Sequence, residues 1–404
     1  MLSEDAIEML IQPVMIRQEN INTFVLSKIA DRINEIGHLL PSDVYKLERL
    51  LKTGSDVREI NKFLADQTGL NERDIKKLIK QVAKDAYFDA KPYYDYRHKP
   101  FIPFAENVAL QRVVSSIARA TADEYVNLSN TKSTGFLIRD LKHPNKLKFQ
   151  SVGDTYKSVI DEAIQAVQSG TIDYNTAMRR TMQQLVDSGV RKMYWDSGYS
   201  QRLDTAVRRN ILDGVRAINQ GVQDETGKQF DADGKEITVH ANSAPDHEPI
   251  QGHQFTNEEY DKLQSNLSFE DILGNKFAPI ERAIGTWNCR HFTYSIIVGF
   301  TKPNYTLAEL EKMKENNAKG YTTSDGKHMT MYECTQRQRQ LETLVRKNKD
   351  GQIAARKSGD IELAQKYQAK INRYTKEYDA FSDACGLSRK KSKMTVSGYH
   401  KISV

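Results

Sequence analysis

Cysteine is scarce in this chain: Cys289, Cys334 and Cys385 are its three in 404 residues. Spaced so widely, they argue against a disulfide framework and fit a reducing compartment. Long hydrophobic runs are missing as well. No stretch approaches the roughly eighteen consecutive apolar residues that a membrane-spanning helix needs. The opening residues, MLSEDAIEML, carry acids where a secretory signal carries positive charge, so the chain is expected to stay in the cytoplasm, at least at first. Catalytic signatures are absent too. Without a G-x-x-x-x-G-K-[ST] loop the chain is no ATP-driven motor, and it has neither a G-x-S-x-G elbow nor an H-E-x-x-H helix. DADGKE (231–236) begins like an EF-hand loop but lacks the later ligands.

Charge is plentiful and unevenly spread. Charged residues make up 28% of the chain against 39% hydrophobic, lean for a globule but normal for long solvated helices. From Thr335 onward there are 16 Lys and Arg against 7 Asp and Glu, a net of +9 that leaves about −3 for the rest of a chain whose total is +6. An anionic partner would therefore meet the C-terminal end.

Apolar residues three and four apart predict helices over most of the first 190 residues. Pro13 should kink or break the first of them. Serine-capped helices should start at Ser42 and Ser55, the second stopping at Gly69, with another following to residue 90. KPYYDYRHKPFIPF (91–104) reads as an extended arm or inter-helix connection, with partner docking as the alternative. Helices resume at 105–128, 153–168 and 173–188, the last capped by Asp173, while 129–150 is mixed and loop-like. From 195 a further helix leads to a tight DADG turn. KEITVHAN (235–242) alternates as a strand, and GTWNCRHFTYSIIVGF (285–300) reads as a second, buried strand. From 306 the chain is helical again. An αα-hairpin over 329–381 should break at 349–360, and 388–404, lacking apolar periodicity, should be mobile.

The fold class that emerges is α+β, predominantly helical. Its expected parts are a helical assembly region (1–194), a small α+β domain (195–302), a helical hairpin (303–387) and a basic flexible tail (388–404). Cys289 and His291, two apart, would share a side of an extended segment, and His240, His247 and His253 could approach them across a small sheet. Metal sites usually show closer ligand pairs, and Cys289 stands alone, so no metal and no cofactor are expected. A Cys–His nucleophilic dyad has no further support. The preferred reading is a structural clasp. In it, the imidazoles and Arg290 satisfy irregular loops while Trp287 and Phe292 fill a small core.

An ordered set of motifs adds to this. RLDTAVRRN (202–210), a strand ending VHAN, SAPDHEPIQGHQF (243–255), WNCRHFTYSIIVGF (287–300), a helical MYECTQRQRQLETLVRKNK and AKINRYTKEYDAFSDACGLSRK follow one another. This order resembles the minor capsid proteins of tailed phages and prophages of Gram-positive bacteria, distant relatives of the Mu-F-type head morphogenesis proteins. The likeness is strongest from about 195 to 392. It implies a non-enzymatic head component at the portal vertex, acting in procapsid assembly and DNA passage. The implied partners are the portal protein, the major capsid or scaffolding protein and packaged double-stranded DNA, with no membrane. The implied location is the virion, after assembly in the host cytoplasm. Ser243, His247, Gly252, Trp287, Cys289, Arg290 and His291 are the motif positions, with His240 and His253 beside them, and none carries a catalytic role. Arg389, Lys390, Lys391, Lys393 and Lys401 are the candidate DNA contacts. The rival functions are a metal-dependent nucleic-acid enzyme built on the His/Cys cluster and a cytoplasmic helical scaffold.

Overall fold

The first apolar stripe forms helix α1 (Glu4–Gly37), which continues through Pro13. Proline there leaves the Met9 carbonyl without its helical donor. Met9 is 72% exposed, so water can replace that donor, while Val14, Ile21, Val25 and Ile29 are buried. The computed structural model describes residues 4–38, 54–139, 146–169, 174–271, 274–286 and 289–404. The helix expected from Ser42, the cap at Asp173 and the side chain of Trp287 lie outside them.

Helix α2 (Ser55–Asp89) runs through Gly69, where a stop was expected. A helical glycine costs about 1 kcal/mol. That is small beside the buried stripe on either side of it, Ile60 and Leu64 before, Ile75, Leu78, Ile79 and Val82 after. Chain contacts group the residues into two compact units, each built from three separate stretches.

One unit comprises 1–11, 73–123 and 209–337. The proline- and aromatic-rich segment belongs to it, and it is no arm. Residues Lys91–Tyr96 form a short helix, α3, started by Pro92 in its first turn. Tyr94 is buried, meets Phe230 and Phe101 edge-on, and donates its hydroxyl to Gln229 at 2.7 Å. Helix α4 (Val108–Leu128) follows, its start capped by Asn107, whose Oδ1 accepts from the Leu110 amide.

The same unit holds a three-stranded antiparallel sheet in which Gly234–Ile237 is central, flanked by Gln254–Thr256 and Thr293–Ile296. Both expected strands are present but shorter. The first stops at Ile237, before Val239 and His240, and the second starts only at Thr293. Gln254–Thr256 escaped the sequence reading because three residues are too few to show alternation. Thr256 then caps the helix Asn257–Gln264 in a capping box with Glu259. Helix Leu307–Lys319 and a small hairpin, Tyr321–Thr322 against His328–Met329, complete the unit's main elements.

The other unit comprises 12–72, 124–208 and 338–404. It contains a four-stranded antiparallel sheet that sequence patterning did not predict, in the order Leu147–Ser151, Thr134–Arg139, Arg191–Tyr194, Tyr199–Arg202. The region read as a loop thus supplies a hairpin. The helix expected from 195 begins only at Leu203, and it runs to Gln229. Tyr199–Arg202 is polar and lies at the sheet edge, where no apolar alternation is required.

The αα-hairpin is Met331–Lys357 and Ile361–Ala384. Its break is confined to residues 358–360, so KDG (349–351) is helical. Gly351 suits that place, since a Cβ there would lie 2.5 Å from the Tyr367 ring. Residues 388–404, expected to be loose, pack instead. Met394 and Val396 are buried. Arg346 and Lys349 donate to the carbonyls of Lys393 and Met394, and Gln352 donates to that of His400. Apolar periodicity missed this segment because two buried apolar residues set no period and its other anchors are backbone carbonyls.

Candidate functional site

The small sheet sets the frame. Thr238 follows the central strand, its amide donating to the Phe292 carbonyl at 3.0 Å while its hydroxyl accepts from the Phe292 amide at 3.2 Å. This exchange brings Cys289 and His291 beside the loop that carries His240 and His247. That loop winds on itself: the Ala244 carbonyl accepts from the amides of His247 and Glu248, and the His247 carbonyl from those of Ile250 and Gln251. Asn317 fastens the loop from outside, donating to Glu248 Oε1 at 2.6 Å and to the Ser243 carbonyl at 3.4 Å.

Gly252 ends the loop at φ +76, and its amide donates to the Ile237 carbonyl. A Cβ there would meet Leu310 at 2.6 Å and Val239 at 2.9 Å, so both backbone conformation and space call for glycine.

Three side chains converge. Cys289 Sγ lies 3.4 Å from His247 Nδ1 and 3.7 Å from His291 Nδ1. All three residues are buried, at 3%, 1% and 5% exposure. One ligand atom from each falls within 4.8 Å of the others. The outer nitrogens are held as well, His247 Nε2 2.8 Å from the Arg282 carbonyl and His291 Nε2 3.4 Å from Gln251 Oε1. Gln251 Oε1 also accepts from the His240 amide at 3.0 Å. Asp246 pairs with Arg282 at 2.6 Å and lies 3.7 Å from His247 Nε2.

Electrostatics divide the two imidazoles. Burial works to raise the Cys289 thiol, but the adjacent His247 outweighs it and holds the thiol below its ordinary range. Desolvation likewise opposes protonation of His247. Its contacts with Cys289 and the Arg282 carbonyl prevail and lift it above the usual imidazole value. His291, desolvated and flanked by His240 and His247, is held down at about 3 and is neutral.

Of the residues singled out in the sequence, the structure brings together His247, Cys289 and His291. The His240 ring packs edge-on against His291 at 4.6 Å. His253 does not join them. It faces Phe277 at 5.2 Å within a hydrophobic cluster, and burial lowers its pKa. Arg290 is exposed, Ser243 is buried beside the loop, and Phe292 is buried. Sequence reasoning passed over Gln251 and the Arg282 carbonyl. Gln251 sits inside a quoted motif, but a backbone carbonyl has no sequence signature.

A second buried polar cluster, in the other unit, was not foreseen at all. Asp204 Oδ2 accepts from Arg346 at 3.1 Å, Arg202 pairs with Asp204 at 3.3 Å, and Arg346 lies 3.6 Å from Glu19. Asp350 accepts from Asn22 at 2.6 Å and Thr23 at 2.8 Å. Its members are far apart in sequence, so no local pattern marks it.

Of the candidate DNA contacts, Arg389 is paired with Asp383 and lies 3.8 Å from Asp379, and Lys391 lies 3.5 Å from Asp379. Lys401 is exposed.

Compared with known proteins, residues 2–383 match the sequence model of a family described as phage minor capsid protein 2. No curated protein and no solved structure matches.

Proposed function

The chain belongs to the phage minor capsid protein 2 family, and from that premise we propose that it is a non-enzymatic head component at the portal vertex. There it would join portal to shell during procapsid assembly and line the way for DNA. The observation that carries this reading is the extent of the family match, which takes in both compact units rather than one borrowed module. A structural role in the capsid, and a place in the virion, follow from the family itself. No helix among the described residues is long and apolar enough to cross a membrane.

Burial of the Cys289 cluster supports the non-enzymatic reading. A nucleophile or hydrolytic centre must meet its substrate, and a sulfur on a residue 3% exposed does not. Protein contacts are assigned to residues 1–194, which display large apolar side chains such as Met9 and Phe88. DNA contact is assigned to the basic C-terminal end, in a sequence-independent mode, because phosphate contacts need only positive charge.

Co-expression with the portal protein, followed by affinity purification of the portal, tests the reading. Co-purification, lost on Met9→Asp with Phe88→Asp while the variant stays folded, is expected. If the chain binds neither portal, major capsid nor scaffolding protein, it is no portal-vertex component.

A further inference from the structure

The hydrogen-bond arithmetic at Cys289 does not close with protons alone. The Arg282 carbonyl can only accept, so His247 Nε2 carries the hydrogen of that 2.8 Å contact. In the neutral ring, Nδ1 is then a bare lone pair facing Cys289 Sγ. The same holds for His291. The His240 amide donates to Gln251 Oε1, which fixes that atom as an oxygen acceptor, so His291 Nε2 must donate and its Nδ1 is bare. A single thiol proton can serve one of the two Nδ1 atoms. Protonating His247 satisfies its own contact with a thiolate and still leaves His291 Nδ1 facing the sulfur, lone pair to lone pair. Three Lewis bases therefore point at one place with too few protons between them.

We propose that His247 Nδ1, Cys289 Sγ and His291 Nδ1 form a preorganised site for a zinc-class divalent ion, serving to hold the small sheet to its loop. The spacing fits. Ligands at roughly 2.3 Å (sulfur) and 2.1 Å (nitrogen) from a tetrahedral ion stand ~3.6 Å apart. The two Sγ···Nδ1 distances are 3.4 and 3.7 Å. One thiolate with two imidazoles is a donor set that suits zinc rather than calcium or magnesium. The outer nitrogens are oriented as in established zinc sites, each donating to an oxygen acceptor. Water would complete the coordination. Burial of all three ligands makes the ion structural. This goes beyond the capsid assignment and does not depend on it.

The test uses the full chain, purified without a histidine tag. It is stripped with chelator, then titrated with Zn²⁺ and with Co²⁺. Zinc should bind with about one ion per chain. Cobalt should give the intense visible bands of a tetrahedral site and a near-ultraviolet thiolate-to-cobalt band. That near-ultraviolet band should vanish in Cys289→Ser. Gln251→Ala, which frees His291 Nε2 without touching a ligand, should weaken zinc binding ~10–100-fold. A folded wild-type chain with no cobalt spectrum and no retained zinc would overturn the proposal. So would a thiolate band that survives Cys289→Ser, which would place the ion at Cys334 or Cys385.

Discussion

Arg346 Nη2 lies 3.1 Å from Asp204 Oδ2, joining the hairpin's first helix to the start of the Leu203–Gln229 helix. Around this pair, two guanidiniums (Arg202, Arg346) face three carboxyls (Glu19, Asp204, Asp350), so one retained proton makes the cluster neutral. Despite burial, the two arginines hold Asp204 at about 2. Burial pushes Glu19 and Asp350 up, each raised further by a neighbouring carboxylate.

The pH dependence follows. Asp204, depressed in the folded state, contributes stability that is present above the ordinary carboxylate range and lost as pH falls toward 2. Glu19 and Asp350, raised in the folded state, contribute stability that is full below that range and lost as pH rises through their elevated values. The cluster's contribution should therefore be greatest in mild acid and decline as pH rises above the ordinary carboxylate range. Asp350→Asn, which cannot ionise, should flatten that decline. Urea midpoints measured across pH for both chains decide it, and parallel curves would contradict the shared-proton account.

Much of the helical architecture could be read from three- and four-residue spacing, because burial of a stripe leaves that period in the sequence. What failed were stops and short strands. Gly69, Pro13 and the KDG at 349–351 looked like breaks, yet each sits where tertiary packing or solvent absorbs the local cost. The four-stranded sheet was invisible because its strands are four to six residues long and partly polar. At the site, Cys289 and His291 were legible as a pair, and His247 as a neighbour in its motif. Which histidine would join them was not, since that depends on a turn ending at Gly252 and on the Arg282 carbonyl.

Gly252→Ala should destabilise the unit that holds the small sheet. The strained φ and the close approach of Leu310 and Val239 together should cost ~1–3 kcal/mol. Chemical denaturation measures it. A neutral effect would show that the loop has room to shift and that the glycine is not what shapes the site.

In chelator-treated protein, Cys289→Ala and His291→Ala should each cost ~1–3 kcal/mol, through an unpaired partner or a small cavity. No reaction should be lost with them. His253→Ala should leave metal binding unchanged, since that ring faces Phe277. Loss of a catalytic turnover in either cluster variant would instead favour the nucleic-acid enzyme.

For DNA, substitution is a better probe than truncation, because Met394 and Val396 are buried. Five cations fully engaged with phosphate would contribute ~4.5 to the slope of log K against log salt, at ~0.9 each. Arg389 and Lys391 already face Asp379 and Asp383. Replacing Arg389, Lys390, Lys391, Lys393 and Lys401 by Gln should therefore flatten the slope by less than that, equally for all sequences. An unchanged slope would remove DNA contact from this segment.

Residence in the particle is the most direct consequence of a structural role in the head. Procapsids and mature virions should be purified and this chain quantified against the portal protein by mass spectrometry with labelled peptide standards. The chain should be retained in both, at a fixed ratio of a few copies per portal. Its absence from procapsids and virions alike, with the protein abundant in the infected-cell lysate, would contradict a structural role in the head.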